Sequence, residues 1–335
     1  MDDKISIILP TYMAEKTIYK AIKSVLNQTY KNIELIIIEN GPKGKVEDNL
    51  KHFKIDRKQE IKYIYSKVAN VSKARNIGIE NASGKYLAFI DSDDCYEKDF
   101  LEKMIFRLKK SDLQLVTCGY KTIYTKENFL IEESSEIEET TDLKKYLEVL
   151  KENYLFNELW SKLYLNSIVQ KNSIRLNENY ELGEDFIFNL DYIEHISKAG
   201  YINEPLYIYT DGQEGLKLRY REDKYEIEYS LTKYLENYYK KNNYSMEYIY
   251  NRLARVYYNA ILNIYADNNP EPKNKKDKKL SELIKSDNFV KDLNFIKNKI
   301  TDQKFKIVVK YFFLRGIFMI KIFIVLSKFR RKWIH

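Results

Sequence analysis

The residues best suited to chemistry in this chain are acids. Asp91-Ser92-Asp93-Asp94 places three carboxylates in four positions directly after the apolar run 86–90. Like charges so close repel, and a fold retains them when something neutralises them. A hard divalent cation such as Mg²⁺ or Mn²⁺, held by one or two carboxylates and by phosphate oxygens, is the natural partner. The competing reading is that Asp93 or Asp94 caps a helix beginning near Glu97. A cap needs one acid, which leaves Asp91 unexplained. Upstream, Asn70-Val71-Ser72-Lys73-Ala74-Arg75-Asn76-Ile77-Gly78 carries two cations, Lys73 and Arg75, suited to a diphosphate or a base. Ala74 and Gly78 in the same stretch allow a helix to pack closely. Downstream, Gly183-Glu184-Asp185 opens a helix, where acids are favourable first-turn residues in any case. Trp160, ahead of Lys162, is either a platform for a sugar ring or a core aromatic.

Elements able to hold these groups are legible over the first 120 residues. Ile5-Ser6-Ile7-Ile8-Leu9 reads as a buried strand ending at Pro10, and Ile18, Ala21, Ile22, Val25 and Leu26 give residues 15–28 helical spacing. Further strands are expected at 33–38, 61–65, 86–90 and 113–118, with helices at 71–82 and 97–110. Continuous apolar runs separated by helices imply a parallel sheet covered on both faces. This is an α/β domain of the doubly wound kind, which binds ligands beyond the carboxyl ends of its strands. Three polar clusters fall at such ends: Pro10-Thr11-Tyr12, Glu39-Asn40-Gly41 and residues 91–94. Their coincidence carries more weight than any one of them. Farther on, helices are expected near 143–152, 158–170 and 184–197, with a short strand at 206–209. Residues 223–266 read as helical and Tyr-rich, and 268–280, with two prolines and a charge run, as a linker.

Composition excludes more than it selects. With 335 residues, 44% hydrophobic and 32% charged, the chain is globular and long enough for one large core plus an accessory region, or for two domains. Cys95 and Cys118 form neither a metal-ligand spacing nor a disulfide framework, which fits a reducing cytoplasm. The N-terminus lacks the basic start and long apolar stretch of a signal peptide. His52, His195 and His335 are scattered, and no Gly-rich phosphate loop or Gly-x-Ser-x-Gly elbow occurs.

The net charge of +8 is concentrated near the C-terminus. Residues 307–329 interleave Lys310, Arg315, Lys321 and Lys328 with aliphatic and aromatic side chains, and their longest uncharged run is six residues. A spanning helix needs roughly 20. At roughly 100° per residue, Lys310, Lys321, Lys328 and Lys332 fall on a narrow arc and leave a wide apolar face. With Arg330-Arg331-Lys332-Trp333 this reads as a helix lying in the headgroup plane of a membrane. The alternative is an amphipathic helix packed on the protein's own core. Cations interleaved with aliphatics do not make the exposed groove of a nucleic-acid binder.

Several stretches together carry a family resemblance. They are Ile7-Ile8-Leu9-Pro10-Thr11-Tyr12, Ser24-Val25-Leu26-Asn27-Gln28-Thr29-Tyr30, Ala74-Arg75-Asn76-Ile77-Gly78, and Gly84-Lys85-Tyr86 leading into Phe89-Ile90-Asp91-Ser92-Asp93-Asp94. Over roughly residues 4–210 the chain resembles the family 2 glycosyltransferases of GT-A fold, particularly bacterial enzymes building surface polysaccharides. The resemblance implies a GT-A domain over 1–212, with a nucleotide-sugar half (about 1–120) and an acceptor half (about 121–212). A helical extension at 213–267, the charged linker at 268–280 and a helical region at 281–335 follow, the last including the membrane-surface helix at about 307–333.

It also implies roles. Asp91-Ser92-Asp93 becomes an Asp-x-Asp motif, with Asp93 closest to Mn²⁺ or Mg²⁺ on the donor diphosphate. Pro10, Thr11 and Tyr12 line the nucleoside pocket. The family usually has two acids after the second strand, the second reading the uracil edge. Glu39-Asn40 stands there, and the Asn40 amide oxygen is expected to accept the uracil N–H. Trp160 and Lys162 fall on the acceptor side. An acid of the Glu184-Asp185 pair, Asp185 preferred, becomes the general base, because inverting transfer requires a carboxylate to take the acceptor hydroxyl proton.

The expected activity is metal-assisted inverting transfer from a UDP-sugar to a glycan or lipid-linked oligosaccharide. The setting would be capsule, exopolysaccharide or cell-wall assembly at the inner face of the membrane, with a homodimer contact open to the helical extension and no nucleic-acid partner. Two rivals are a GT-A scaffold without turnover and a nucleotidyltransferase. The latter should carry a Gly-rich loop where Pro10-Thr11-Tyr12-Met13 stands.

Overall fold

The computed structural model of the chain describes residues 3–44, 46–124, 130–133, 143–152, 155–180, 182–211 and 220–313. It divides into two compact units, Met1–Gln213 and Glu214–His335.

The first unit begins as a repeating strand–helix unit: β1 (Ile5–Thr11), α1 (Ile18–Leu26), β2 (Ile33–Asn40), α2 (Val46–Leu50), β3 (Gln59–Ser66), α3 (Val71–Glu80) and β4 (Tyr86–Phe89). β1 and β2 are buried at every position, as strands covered on both faces must be. The chain continues through β5 (Cys95–Tyr96), α4 (Phe100–Lys110), β6 (Leu115–Tyr124), β7 (Leu130–Glu133), α5 (Leu143–Glu152), a single 3₁₀ turn (Leu155–Asn157), β8 (Lys162–Leu165), α6 (Asn166–Lys171), α7 (Glu184–Ile193) and β9 (Ala199–Asp211).

Among the described residues the sheet order is β3-β2-β1-β4-β8-β6-β9-β5, with β7 paired to β6. β3, β2, β1 and β4 are mutually parallel, and β6 is parallel to β9. β8 runs antiparallel between β4 and β6. The expected mostly parallel α/β sheet is therefore present. Helix α3 lies close on β1 and β2 at Gly78, where a Cβ would sit 2.5 Å from Ile8 Cγ2.

One buried carboxylate ties the parallel half together. Glu34, with no exposed surface, accepts from Ser6 Oγ (2.5 Å), Lys62 Nζ (2.6 Å), and the Ser83 (2.6 Å) and Gly84 (3.0 Å) amides. Burial opposes its ionisation, but the Lys62 ammonium and the Ser6 and Ser83 donors outweigh burial and hold the carboxyl down at about 2. A group depressed in the folded state contributes stability above its unfolded pKa and loses it as pH falls through its folded one. Glu34→Ala is therefore expected to lower unfolding free energy at neutral pH by about 3–5 kcal/mol, by analogy with breaking a buried pair. The deficit should shrink between pH 4.5 and about 2. Urea titration at neutral pH checks it, and a loss below about 1 kcal/mol, the scale of one ordinary hydrogen bond, would contradict it.

Three expectations need correction. The helix expected at 158–170 is β8 followed by α6, because Lys162-Leu163-Tyr164-Leu165 fills the slot between β4 and β6. A short apolar run does not by itself distinguish strand from helix. The strand expected at 206–209 is the end of the 13-residue β9. In the second unit, the charge run placed in the linker at 268–280 enters a helix at Lys273, with Leu280 and Leu283 buried and its lysines largely outward.

That second unit is helical in the described residues: α8 (Lys224–Lys241), α9 (Glu247–Ile264), α10 (Lys273–Lys285), α11 (Asp287–Ile296) and α12 (Gln303–Phe313). Its tyrosines serve packing. Tyr257 meets Phe289 edge-on at 4.9 Å and donates to the buried Asp292 (2.8 Å), which also accepts from Lys233. The membrane-surface helix expected at 307–333 lies outside the described residues beyond Phe313. No helix among the described residues is long and apolar enough to cross a membrane.

Candidate active site

The carboxyl ends of β1, β2, β3 and β4 bring together the three polar clusters that the sequence places at strand ends. Arg75 meets the cluster that follows β4. It is buried on α3, whose first turn is capped by Asn70 Oδ1 accepting from the Lys73 N–H (2.8 Å). Its Nη2 donates to Asp91 (3.0 Å), and its Nη1 to Asp185 (2.7 Å) and Glu184 (3.3 Å). One guanidinium thus joins the acidic turn after β4 to the first turn of α7. Burial alone would lower the Arg75 pKa, but Asp185, Asp91 and Glu184 raise it well above its usual value. One cation does not neutralise three carboxylates, and burial, opposed by Arg75, drives the Asp185 carboxyl well above the usual range. One acid of the 91–94 cluster, Asp91, and both acids of the Glu184-Asp185 pair therefore meet at Arg75, whose guanidinium here joins carboxylates.

The acidic turn divides its charges. Asp91 is half-buried and turned to Arg75. Asp94 is buried, accepting from Tyr207 Oη (2.6 Å) and the Thr210 N–H (2.8 Å). Burial, then the charges of Asp91 and Asp93, push its carboxyl up to about 8. Neither Asp93 nor Asp94 caps α4, whose N-cap is Asp99. Asp93 stands exposed beside half-buried Ser92 and forms no ion pair among the described residues. The protein around Asp93, and then Asp91, raise its carboxyl. An outward acid beside a second acid, with no ion pair among the described residues, suits a divalent metal. No group of three His, Cys, Asp or Glu side chains among the described residues is arranged to hold a metal ion by itself. The donor set therefore fits a cation that takes one or two carboxylates and draws its other ligands from phosphate and water.

The base-side residues serve the scaffold. Glu39 is buried and accepts from Tyr63 Oη (2.5 Å) and the Gly44 N–H (3.0 Å). The buried Asn40 amide, oriented by its neighbours, donates to Thr11 O (2.6 Å) and accepts from the Asn70 N–H (3.2 Å). That engagement ties Asn40 to the end of β1 and to the residue that caps α3. Pro10 and Thr11 end β1, and Thr11 Oγ1 is buried without a partner among the described residues. Tyr12 is 52% exposed, with its ring against Gly41, where φ is 95° and a Cβ would meet the ring at 2.7 Å. Lys73 is half-buried and forms no ion pair among the described residues.

The two acceptor-side expectations are corrected. Trp160 is buried, stacked on Tyr207 (4.3 Å between ring centres, 17°) and edge-on to Tyr120 (5.2 Å). It is the core aromatic of the two alternatives. Lys162 is also buried; its ammonium donates to the carbonyls of Leu155 (2.7 Å) and Glu158. Burial lowers its pKa to about 8. An ammonium occupied with backbone carbonyls in the interior does not face an acceptor. Sequence reading also assigns no role to Asn76, whose side chain bonds both the carbonyl and the amide of Leu176 (2.9 Å each). Asn76 and Asn70 together pin the segment before α7 to α3. The signal for this was its place beside Arg75 in the same helix.

Residues 6–172 match the family described as Glycosyl transferase family 2. The chain carries a family 2 glycosyltransferase domain. The glycosyltransferase GlyA of Streptococcus pneumoniae is 34% identical over 127 residues, 38% of this chain and 18% of GlyA. The Escherichia coli UDP-Glc:alpha-D-GlcNAc-diphosphoundecaprenol beta-1,3-glucosyltransferase WfgD is 36% identical over 124 residues, 37% of this chain and 48% of WfgD. The matched region thus spans less than half of either relative. Among solved structures, S. aureus TarS 1–349 superposes with a TM-score of 0.67 at 15% identity, covering 98% of this chain and 91% of that one. TarS is also solved in complex with UDP and with UDP-GlcNAc. The fold is that of the GT-A glycosyltransferases.

Proposed function

We propose that the chain moves a sugar from a UDP-sugar to an acceptor hydroxyl with inversion at the anomeric carbon. The observation that carries this reading is the Arg75 bridge, which holds a donor-side acid, Asp91, and an acceptor-side acid, Asp185, on one guanidinium. In the reaction, Asp185 takes the acceptor hydroxyl proton as that oxygen bonds to the anomeric carbon, and the bond to the diphosphate breaks with its electron pair leaving on the diphosphate. Arg75 orients Asp185, and Glu184 adds negative charge beside it. Asp93, with Asp91 and Ser92 next to it, would hold Mn²⁺ or Mg²⁺ against the diphosphate. Bound there, the cation would stabilise charge on the leaving group. Pro10, Thr11 and Tyr12 are assigned to the nucleoside, and Lys73 to the diphosphate.

The UDP complexes of TarS and the UDP-Glc in the name of WfgD support a UDP-sugar donor. The diphosphoundecaprenol in WfgD's name supports a lipid-linked acceptor in surface-glycan assembly. The test is incubation with a panel of nucleotide sugars and Mn²⁺, reading release of nucleoside diphosphate. Release from a UDP-sugar that disappears in Asp93→Ala is expected. No release from any donor and no UDP binding would favour a scaffold without turnover.

The same reading places the protein peripherally at the inner face of the cell membrane through its basic C-terminal segment. Val308, Val309 and Phe312 are buried in α12, so the informative truncation removes residues 314–335 only. It is expected to move the protein from the membrane pellet to the supernatant with its helical content otherwise retained. Unchanged partitioning would sink the assignment.

A further inference from the structure

The acid of the cluster that points inward belongs to a connection the proposed reaction does not use. Tyr207 on β9 donates from its hydroxyl to Asp94 (2.6 Å), and the same oxygen accepts from the Asp91 N–H (3.4 Å). Asp94's other oxygen accepts from the Thr210 N–H, three residues along β9 (2.8 Å). The Tyr207 ring is fixed on its faces and edges, stacked on Trp160 and set edge-on to Tyr96 at 5.8 Å. Its backbone pairs with Tyr96 in the β5–β9 ladder. A phenylalanine would pack equally well here, so packing does not explain the hydroxyl. What the hydroxyl adds is a link from β9 to both ends of the turn 91–94.

The turn 91–94 holds three carboxyl groups close together, and without a fixed inward partner any of them can turn outward. Tyr207 and Thr210 hold Asp94 inside, while Arg75 takes one oxygen of Asp91. Asp93 is left as the exposed acid.

We propose that Tyr207 is a positioning residue for donor binding: through Asp94 and the Asp91 amide it locks the acidic turn onto β9, so that Asp91 and Asp93 meet the donor diphosphate in one fixed place. This rests on the reading of residues 91–94 as the diphosphate site.

Tyr207→Phe keeps the ring and its stacking and removes the link. The control is Tyr257→Phe, which deletes a comparable buried Tyr–Asp hydrogen bond, to Asp292, in the helical unit. Titration calorimetry with UDP and Mn²⁺, beside thermal unfolding, separates positioning from stability. Both variants are expected to lose similar stability, while Tyr207→Phe alone weakens UDP binding by about 10- to 100-fold, as loss of a group that orients metal-site ligands does. Amide hydrogen exchange at residues 91–94 should speed up in Tyr207→Phe only. Binding by Tyr207→Phe within about threefold of the parent, well short of that range, overturns the proposal. Asp94→Asn keeps the side-chain shape and a hydrogen-bonding group toward both partners, and is expected to lose less affinity than Tyr207→Phe. A larger loss would make Asp94 a direct ligand and overturn the assignment. If the parent protein itself binds no UDP, the donor reading has failed; unaltered binding in Tyr207→Phe, with the parent binding normally, removes the positioning role alone.

Discussion

Asp185→Asn is expected to lower the turnover number by about 10²- to 10⁴-fold, the range a positioned general base contributes, while leaving UDP affinity nearly unchanged. The substitution keeps the side-chain shape in the first turn of α7 and leaves Arg75 with Asp91 and Glu184. What it removes is the ability to take a proton. Glu184 is the competing base, but it is buried at 8% exposure and its contact with Arg75 is longer, 3.3 Å against 2.7 Å. Glu184→Gln should therefore cost less turnover than Asp185→Asn.

The pH dependence has a definite sign. Burial drives the Asp185 carboxyl upward, Arg75 opposes, and Glu184 and Asp91 reinforce burial, for a net rise well above the usual carboxylate range. A base works ionised, so turnover falls as pH drops through this raised value. The acid limb of the profile should lie above that of an ordinary aspartate and vanish in Asp185→Asn. Steady-state kinetics over pH measures both effects. Turnover within about tenfold of the parent, below the usual range for such a base, would remove Asp185 from the role.

Arg75→Met should be the most destabilising single change at the site. It leaves Asp91, Glu184 and Asp185 facing one another in the interior without their shared cation. Removing one partner of a buried ionic group costs about 3–5 kcal/mol, because the remaining charges stay desolvated. The deficit should narrow as pH falls, beginning well above the usual carboxylate range, because burial already raises the Asp185 carboxyl and loss of Arg75 removes the charge that opposes it. Arg75→Lys keeps the charge but has no planar fork to reach three carboxylates, and should fall between parent and Met variant. Chemical denaturation at two pH values checks the series. A Met variant within about 1 kcal/mol of the parent, the scale of an exposed ion pair, would show that the bridge contributes little.

The same sequence ranges differ in how far they reveal their structure. Strands β1, β2 and β4 and helices α1 and α3 were legible because their information is local: an unbroken apolar run for a doubly covered strand, and 3.6-residue spacing for an amphipathic helix. The clusters after β1, β2 and β4 were legible for the same reason, since a parallel sheet presents the carboxyl ends of its strands together. Residues 162–165 were not legible. Their identity as a strand depends on the gap between β4 and β6, and nothing within four residues records which strands will flank them. The fates of Trp160 and Lys162 follow from that insertion, which turns both inward.

By itself, then, the sequence determined the α/β class, the strand ends at which polar groups gather, the family resemblance, and the acidic cluster and acid pair of the site. Tertiary structure alone decided how those acids divide. Arg75 reaches Glu184 and Asp185 across 109 and 110 residues, and Asp94 reaches Tyr207 across 113. Spacing along a chain reports which groups share a turn or a face. Which buried carboxylate receives the guanidinium, which receives the phenol, and which is left outward depends on partners that only folding brings within hydrogen-bond reach.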